Sequence, residues 1–215
     1  MKHSAIASYA VLLVFLLGGS SVSSALPDSQ ARNMDAEFDQ LAALLEVSEG
    51  SVVADVGAGG GTWAFRLAQR VGPQGRVYAT EVKDPLVEML RRAVETRRIQ
   101  NMEVVLGSEQ DMGLPPSCCD GLLLRLVYHA FRDPGEPERM RDSMRRAVKP
   151  GGLVLIVDFL PSPAQLTEEM RSAGFDRVRL IDRWQDQDSV YAALFRKAQP
   201  LASISTRRGD AKTVR

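Results

Sequence analysis

The stretch VVADVGAGGG, residues 52–61, carries an apolar run into Asp55 and then breaks into alternating glycines. Ser51 to Val56 reads as a buried strand, and the helix that follows, Thr62 to Val71, begins inside the glycines. Gly57, Gly59 and Gly61 let the backbone turn with positive φ and come close to a ligand with no Cβ in the way. A helix start at that point presents unpaired N–H groups and a positive dipole end to something anionic.

The alternation continues outward from this stretch. Gly72-Pro73-Gln74-Gly75 is a turn, Arg76 to Thr80 a second strand ending at Glu81, and Asp84-Pro85 a helix start with proline in the first turn. Met102 to Leu106 reads as a third strand and Gly121 to Val127 as a fourth, apolar on both faces except for Arg125. A helix from Glu136 to Val148 is stopped by Pro150-Gly151-Gly152, and Leu153 to Val157 is a fifth strand. Ser162-Pro163 opens another helix, and Asp176 to Ile181 and Ser189 to Arg196 form a final pair of strands around Gln185 to Asp188. Upstream, Met34, Phe38, Leu41, Leu44 and Leu45 follow helical spacing, with Asn33 or Asp35 near the start as a cap. Continuous apolar strands between helices predict a parallel sheet covered on both faces, and a last pair joined so tightly must be antiparallel. The expected fold class is therefore α/β: a Rossmann-like, doubly wound, seven-stranded sheet with one antiparallel strand and helices on both faces.

A chain of 215 residues with 45% hydrophobic and 25% charged content suits one packed domain. Basic and acidic residues both number 27, so the overall charge favours neither nucleic acid nor an anionic membrane as partner. Residues 1–25 combine a basic start, an apolar run from Ala10 to Leu17 and a small, polar stretch ending at Ala25. This is the layout of a secretory signal peptide, too short in its apolar part for the ~20 residues that span a bilayer. The expectation is export, periplasmic or secreted, with cleavage after Ala25; an uncleaved membrane anchor is the alternative. Residues 26–199 form the domain, and the basic, aperiodic residues 200–215 a disordered tail. Cys118 and Cys119 are adjacent, with no further cysteine to build a disulfide framework and no second nearby histidine to complete a metal site.

A nicotinamide or flavin fingerprint would need glycine at position 62, which is threonine. The G-x-G-x-G spacing with Asp55 before it points instead to a smaller anionic group beside a nucleoside. Glu81, 24 residues after Gly57 at the end of the second strand, can accept both ribose hydroxyls and would repel a 2′-phosphate.

VVADVGAGGG, GRVYATEV, LPPSCCDGLLLRLVYHAFRDP and VKPGGLVLIVDF, in this order, resemble the successive motifs of class I S-adenosylmethionine-dependent methyltransferases. The resemblance covers Met34 to Lys197 and implies strand order 3-2-1-4-5-7-6, with S-adenosyl-L-methionine as cofactor. It implies that Gly57, Ala58, Gly59 and Gly61 surround the methionine part, that Glu81 holds the ribose and that Val82 packs on adenine. Asp55 would organise the glycine loop or reach the cofactor's amino group. Where the family often has Gly-Asp-Ala, this chain has Gly107-Ser108-Glu109, so Ser108 or Glu109 would stand in at the adenine amino group.

Methyl transfer from a sulfonium asks the protein to align donor and nucleophile and, where needed, to remove a proton. Tyr128, His129 and Asp158 are the candidates near the strand tips. Histidine suits a general base as a residue type, though His129 could equally cap or pack beside the cofactor loop, and Asp158 could bond loop backbone. The chain departs from its relatives at Leu126, where Asn or Asp is frequent, and at Ala130, where a second histidine is common. Arg125 needs a partner, solvent or a substrate carboxylate. Only Phe159 to Ser162 separate the fifth strand from its helix, so the acceptor pocket would be completed by the Met34–Leu45 helix, the Met112–Cys119 loop or another subunit. The leading expectation is a methyltransferase acting on a small molecule; a non-catalytic binding module on the same fold is the alternative, and a nicotinamide oxidoreductase a distant third.

Overall fold

In the computed structural model, residues 28–131, 133 and 135–199 are described. The signal segment expected at 1–25 and the tail expected at 200–215 lie outside them. The elements run α1 (Asp28–Leu44), β1 (Val52–Val56), α2 (Thr62–Val71), β2 (Arg76–Glu81), α3 (Asp84–Thr96), β3 (Met102–Leu106), β4 (Cys119–Arg125), a single 3-10 turn (Tyr128–Ala130), α4 (Glu136–Ala147), β5 (Val148–Asp158), α5 (Pro163–Ser172), β6 (Phe175–Ile181) and β7 (Tyr191–Lys197).

The seven strands form one sheet in the order β3-β2-β1-β4-β5-β7-β6. All pairings are parallel except those of β7, which runs antiparallel to both β5 and β6. Both faces of the sheet are covered, which is why the central strands are apolar throughout. Val53, Leu123, Leu153, Leu155 and Leu194 pack on one face with Phe38 and Leu41 of α1, Leu45 just after it, Leu67 of α2 and Leu90 of α3. Ala54, Leu122, Leu124, Ile156 and Phe195 pack on the other with Met140 and Met144 of α4 and Leu166 and Met170 of α5. The outer strand β6 exposes Asp176, Arg177 and Arg179, charges that discourage pairing of this edge with another chain.

Most element ends shift by a residue or two from the sequence reading, and three boundaries differ in ways that bear on the site or the packing. β4 stops at Arg125 because Leu126 turns to φ +57°, which no strand accommodates. β5 begins at Val148 and runs through Pro150-Gly151-Gly152, whose β4-side pairing at Cys119 is offset by a bulge before it resumes at Gly121. α1 starts at Asp28, ahead of the apolar spacing that marks its packed half. β1 and β4 are neighbours although α2, β2, α3 and β3 separate them in sequence, and the crevice at their carboxyl ends is where an open α/β sheet takes its ligand.

Candidate functional site

The glycine loop and the end of β2 are built as one unit. Gly57 has φ +70°, and a Cβ there would meet Val127 Cγ2 at 2.6 Å, so glycine is required by the close approach of the segment after β4. Gly59 has φ +53° and nothing within 4 Å of its would-be Cβ. Its N–H donates to Glu81 Oε2 at 3.1 Å, while Val82 N–H and Lys83 N–H donate to Glu81 Oε1 at 2.8 and 3.3 Å. The Glu81 carboxylate thus pins the loop to the sheet, and its two oxygens still carry lone pairs for further donors.

Between this unit and the segment after β4 lies a cleft of about 320 Å³, lined by Gly57, Glu81, Val82, Gly107, Ser108, Glu109, Met112, Leu126, Val127 and Ala130 among others. A larger open groove of about 710 Å³ lies behind α2, beside the turn from α3 to β3, away from the strand tips and their carboxylates. The 107–113 loop bounding the cleft is held from α4: Ser143 Oγ accepts from Met112 N–H at 3.0 Å and donates to Asp111 Oδ1 at 2.8 Å.

Asp55 sits fully buried under the glycine loop. Burial is the largest influence on its carboxyl and pushes it up to about 7, against the opposing pull of the Ala64 backbone N–H and of Arg125. Among the described residues, its Oδ2 is the one buried side-chain nitrogen or oxygen with no hydrogen-bond partner.

Beside the cleft, the 3-10 turn whose Ala130 lines it places His129 against the tip of β5. Asp158 is completely buried; it accepts from the His129 backbone N–H at 3.1 Å and from Phe159 N–H at 2.8 Å, and its Oδ1 lies 3.0 Å from His129 Nδ1. Asp158 thus holds the His129 backbone and ring together at the tip of β5. The His129 ring is about a third exposed and lies 4.5 Å from the Phe159 ring.

Tyr128 requires a correction. Although adjacent to His129, its side chain turns into the core: its hydroxyl donates to Glu169 Oε2 at 2.7 Å and accepts from Arg141 Nη1 at 2.9 Å. Burial raises its phenol well above the ordinary range, and Tyr128 ties the turn to α4 and α5. Arg125 finds a partner the sequence did not name. Its Nε and Nη2 donate to both carboxylate oxygens of Glu37 on α1, at 2.8 and 3.1 Å; Trp184 Nε1 donates to the same Glu37, and the guanidinium lies 4.9 Å from the Trp63 ring centre. Cys118 and Cys119 are both free thiols, Cys119 at the buried start of β4.

Residues 53–152 match the family model described as a methyltransferase domain. Among curated proteins, the chain is 34% identical over 113 residues to the protein-L-isoaspartate O-methyltransferase of Methanothrix thermoacetophila, covering 53% of this chain and 50% of that one. It is 24% identical over 114 residues to the demethylmenaquinone methyltransferase of Geobacillus stearothermophilus, covering 53% and 47%. The chain spans about half the length of these curated relatives. Of solved structures, a SAM-dependent methyltransferase from Aquifex aeolicus superposes with a TM-score of 0.66 at 20% identity, covering 80% of this chain and 99% of that one. A possible exported protein from Bordetella parapertussis gives 0.63 at 14% identity, covering 79% and 68%. The domain match over residues 53–152 and the fold are those of S-adenosylmethionine-dependent methyltransferases, and S-adenosylmethionine is the cofactor that this likeness implies.

The residues present fit that cofactor. An unpartnered buried carboxylate oxygen beneath the loop suits an ammonium group, a glycine lining the cleft at Gly57 suits close backbone approach, and an acceptor-only carboxylate at the end of β2 suits a diol.

Proposed function

We propose that this chain transfers a methyl group from S-adenosylmethionine to a small-molecule acceptor, the donor lying in the cleft between β1 and β4 and the acceptor meeting it beside His129. The observation that carries this reading is the cleft between the Glu81-pinned glycine loop and the segment after β4, whose Ala130 lines it and whose neighbour His129 is held by Asp158.

When bound, S-adenosylmethionine supplies a methyl group already activated on a sulfonium, which leaves alignment and proton removal to the protein. In this reading Asp55 faces the ammonium group and Gly57, Ala58, Gly59 and Gly61 shape the loop around the methionine part. Glu81 holds the ribose, Val82 flanks the adenine, and Ser108 and Glu109 border its edge. Asp158 fixes the His129 ring, and His129 takes the acceptor's proton. Tyr128 has no part in it. The methyltransferase names of relatives on both the sequence and the structural side favour an enzyme over a non-catalytic binding module. The balance of 27 basic and 27 acidic residues supports a small molecule over nucleic acid.

With methyl-labelled cofactor and a small-molecule extract, label is expected in an organic product. His129→Ala and Asp158→Asn should each lower its rate by about 10²-fold or more while S-adenosylhomocysteine still binds. Undiminished transfer by both variants would contradict the role of the pair.

We also infer that the chain is exported. The layout of residues 1–25 supports this. N-terminal sequencing of native protein should begin at Leu26, and an intact Met1 would contradict cleavage.

A further inference from the structure

The chain has two cysteines, and they are neighbours at the amino end of β4, the end of the sheet opposite the crevice. Both are free thiols: Cys119 is fully buried in the core, while Cys118 beside it is only half-buried. A strained turn delivers the pair. Ser117 has φ +49°, a left-handed backbone that serine seldom adopts, and its N–H donates to the Arg146 carbonyl at 2.8 Å. The β4–β5 pairing is irregular at the pair, with Cys119 opposite Val148 and the register resuming at Gly121 opposite Leu153. Asp120, within that irregularity, accepts from Lys149 Nζ at 2.7 Å, which holds an ammonium group whose charge acts on both sulfurs. The two thiols also act on each other. The Cys119 S–H donates to the Cys118 sulfur, which lowers the Cys118 thiol, with help from Lys149 and against burial and Asp120. The same bond, together with burial, raises Cys119.

We infer that Cys118–Cys119 is a reversible thiol–disulfide site for low-molecular-weight disulfides, with Cys118 the entry thiol and Cys119 the resolving one. It stands apart from the methyl-transfer reading, since neither cysteine lines the donor cleft. Burial denies Cys119 to the small disulfide, which fixes the order of the steps. First the Cys118 thiolate attacks one sulfur of the small disulfide, whose S–S bond breaks and whose other half leaves as a thiolate. Capping Cys118 removes the thiolate that held the Cys119 proton. Cys119 then gives that proton to water and attacks the Cys118 sulfur, and the second half leaves. The two cysteine thiols are oxidised to a disulfide and the small disulfide is reduced to two thiols. Neighbouring Cα atoms across a trans peptide lie about 3.8 Å apart, below the roughly 4.4–6.8 Å that an unstrained disulfide spans, so the closed pair is strained and readily reduced again. It also encloses no loop for it to restrict, so closing it distorts the start of β4 with no compensating gain in stability. Both features make the bond a reversible mark and not a structural brace.

The test treats the full, reduced chain with dithionitrobenzoate at neutral pH, reading the leaving thiolate by absorbance and the product by intact mass. The wild-type chain is expected to release both halves of the reagent and to end without adduct, its mass lower by two hydrogens, and dithiothreitol should restore the starting mass. Cys119→Ala should release one half and keep the other as an adduct. Cys118→Ala should react only as fast as the chain unfolds, because the remaining thiol is buried. Oxidation of the wild-type chain should lower its Tm by about 2 °C or more, the reverse of an ordinary disulfide. An adduct that persists on the wild-type chain, disulfide-linked dimers, or no reaction before unfolding would overturn the inference. So would undiminished reactivity in Cys118→Ala, or a Tm unchanged or raised by oxidation. The wild-type mass and Tm need no variant, so they decide the matter even where a substitution at buried Cys119 prevents folding.

Discussion

A carboxylate buried without a full set of partners is costly, and Asp55 shows the cost as a protonation preference: its carboxyl rises from 3.8 to about 7 on folding. Between those values the native chain keeps a proton that the unfolded chain has released. Its contribution to stability is therefore whole at low pH and is lost as pH rises through about 7, by on the order of 4 kcal/mol in the protein without ligand. Asp55→Asn, with no proton to lose, should flatten this component of the stability profile and stabilise the ligand-free protein at pH 8, as read by urea unfolding at pH 5 and pH 8. An unchanged pH slope in the variant would contradict the assignment. Asp55 and Glu81 were legible as site candidates because Asp55 lies two residues before the first glycine and Glu81 ends the next strand, both readable from short stretches of sequence. Tyr128 was misread for the same reason turned round. Successive residues on a helical turn point about 100–120° apart, so a neighbour of His129 in sequence faces Glu169 and Arg141 instead of the cleft.

Among the elements, α1 has a role that its amphipathic spacing did not disclose. Phe38, Leu41 and Leu45 give it a packed face, but Glu37 also brings a buried carboxylate to the end of β4, where it receives Arg125 and the fully buried Trp184. The sequence separations are 88 and 147 residues, and no local pattern reports a contact at that range. Arg125 was recognisable as a charge in need of a partner; which partner depended on the fold. Glu37→Ala leaves the guanidinium and the indole N–H without their acceptor in a largely enclosed site. It should destabilise the chain by about 3–5 kcal/mol by chemical denaturation. The exposed pair Arg171–Glu168, broken as a control, should change stability by less than about 1 kcal/mol. Equal effects of the two substitutions would contradict a bracing role for α1. The short connection after β5 was also foreseen, but not that, with Phe159 to Ser162 bridging to α5, Phe159 stays exposed against the His129 ring.

On the scale of the whole molecule, the order β3-β2-β1-β4-β5-β7-β6 brings the glycine loop after β1 and the 3-10 turn after β4 to one crevice, though they lie far apart in sequence. Alternating strands and helices foretold the layers, and the tight 185–188 connection foretold the antiparallel strand. The adjacency of β1 and β4 came with the family resemblance, since periodicity alone orders elements along the chain and not across a sheet. The central claim is that this crevice is a donor site organised by Glu81. Titration calorimetry of the full chain with S-adenosylmethionine and S-adenosylhomocysteine tests it most directly. One site per chain is expected for both, competing with each other, and Glu81→Ala should weaken each by about tenfold or more, since it removes both the ribose acceptor and the anchor of Gly59. No binding by the wild-type chain, or equal affinity in Glu81→Ala, would contradict it.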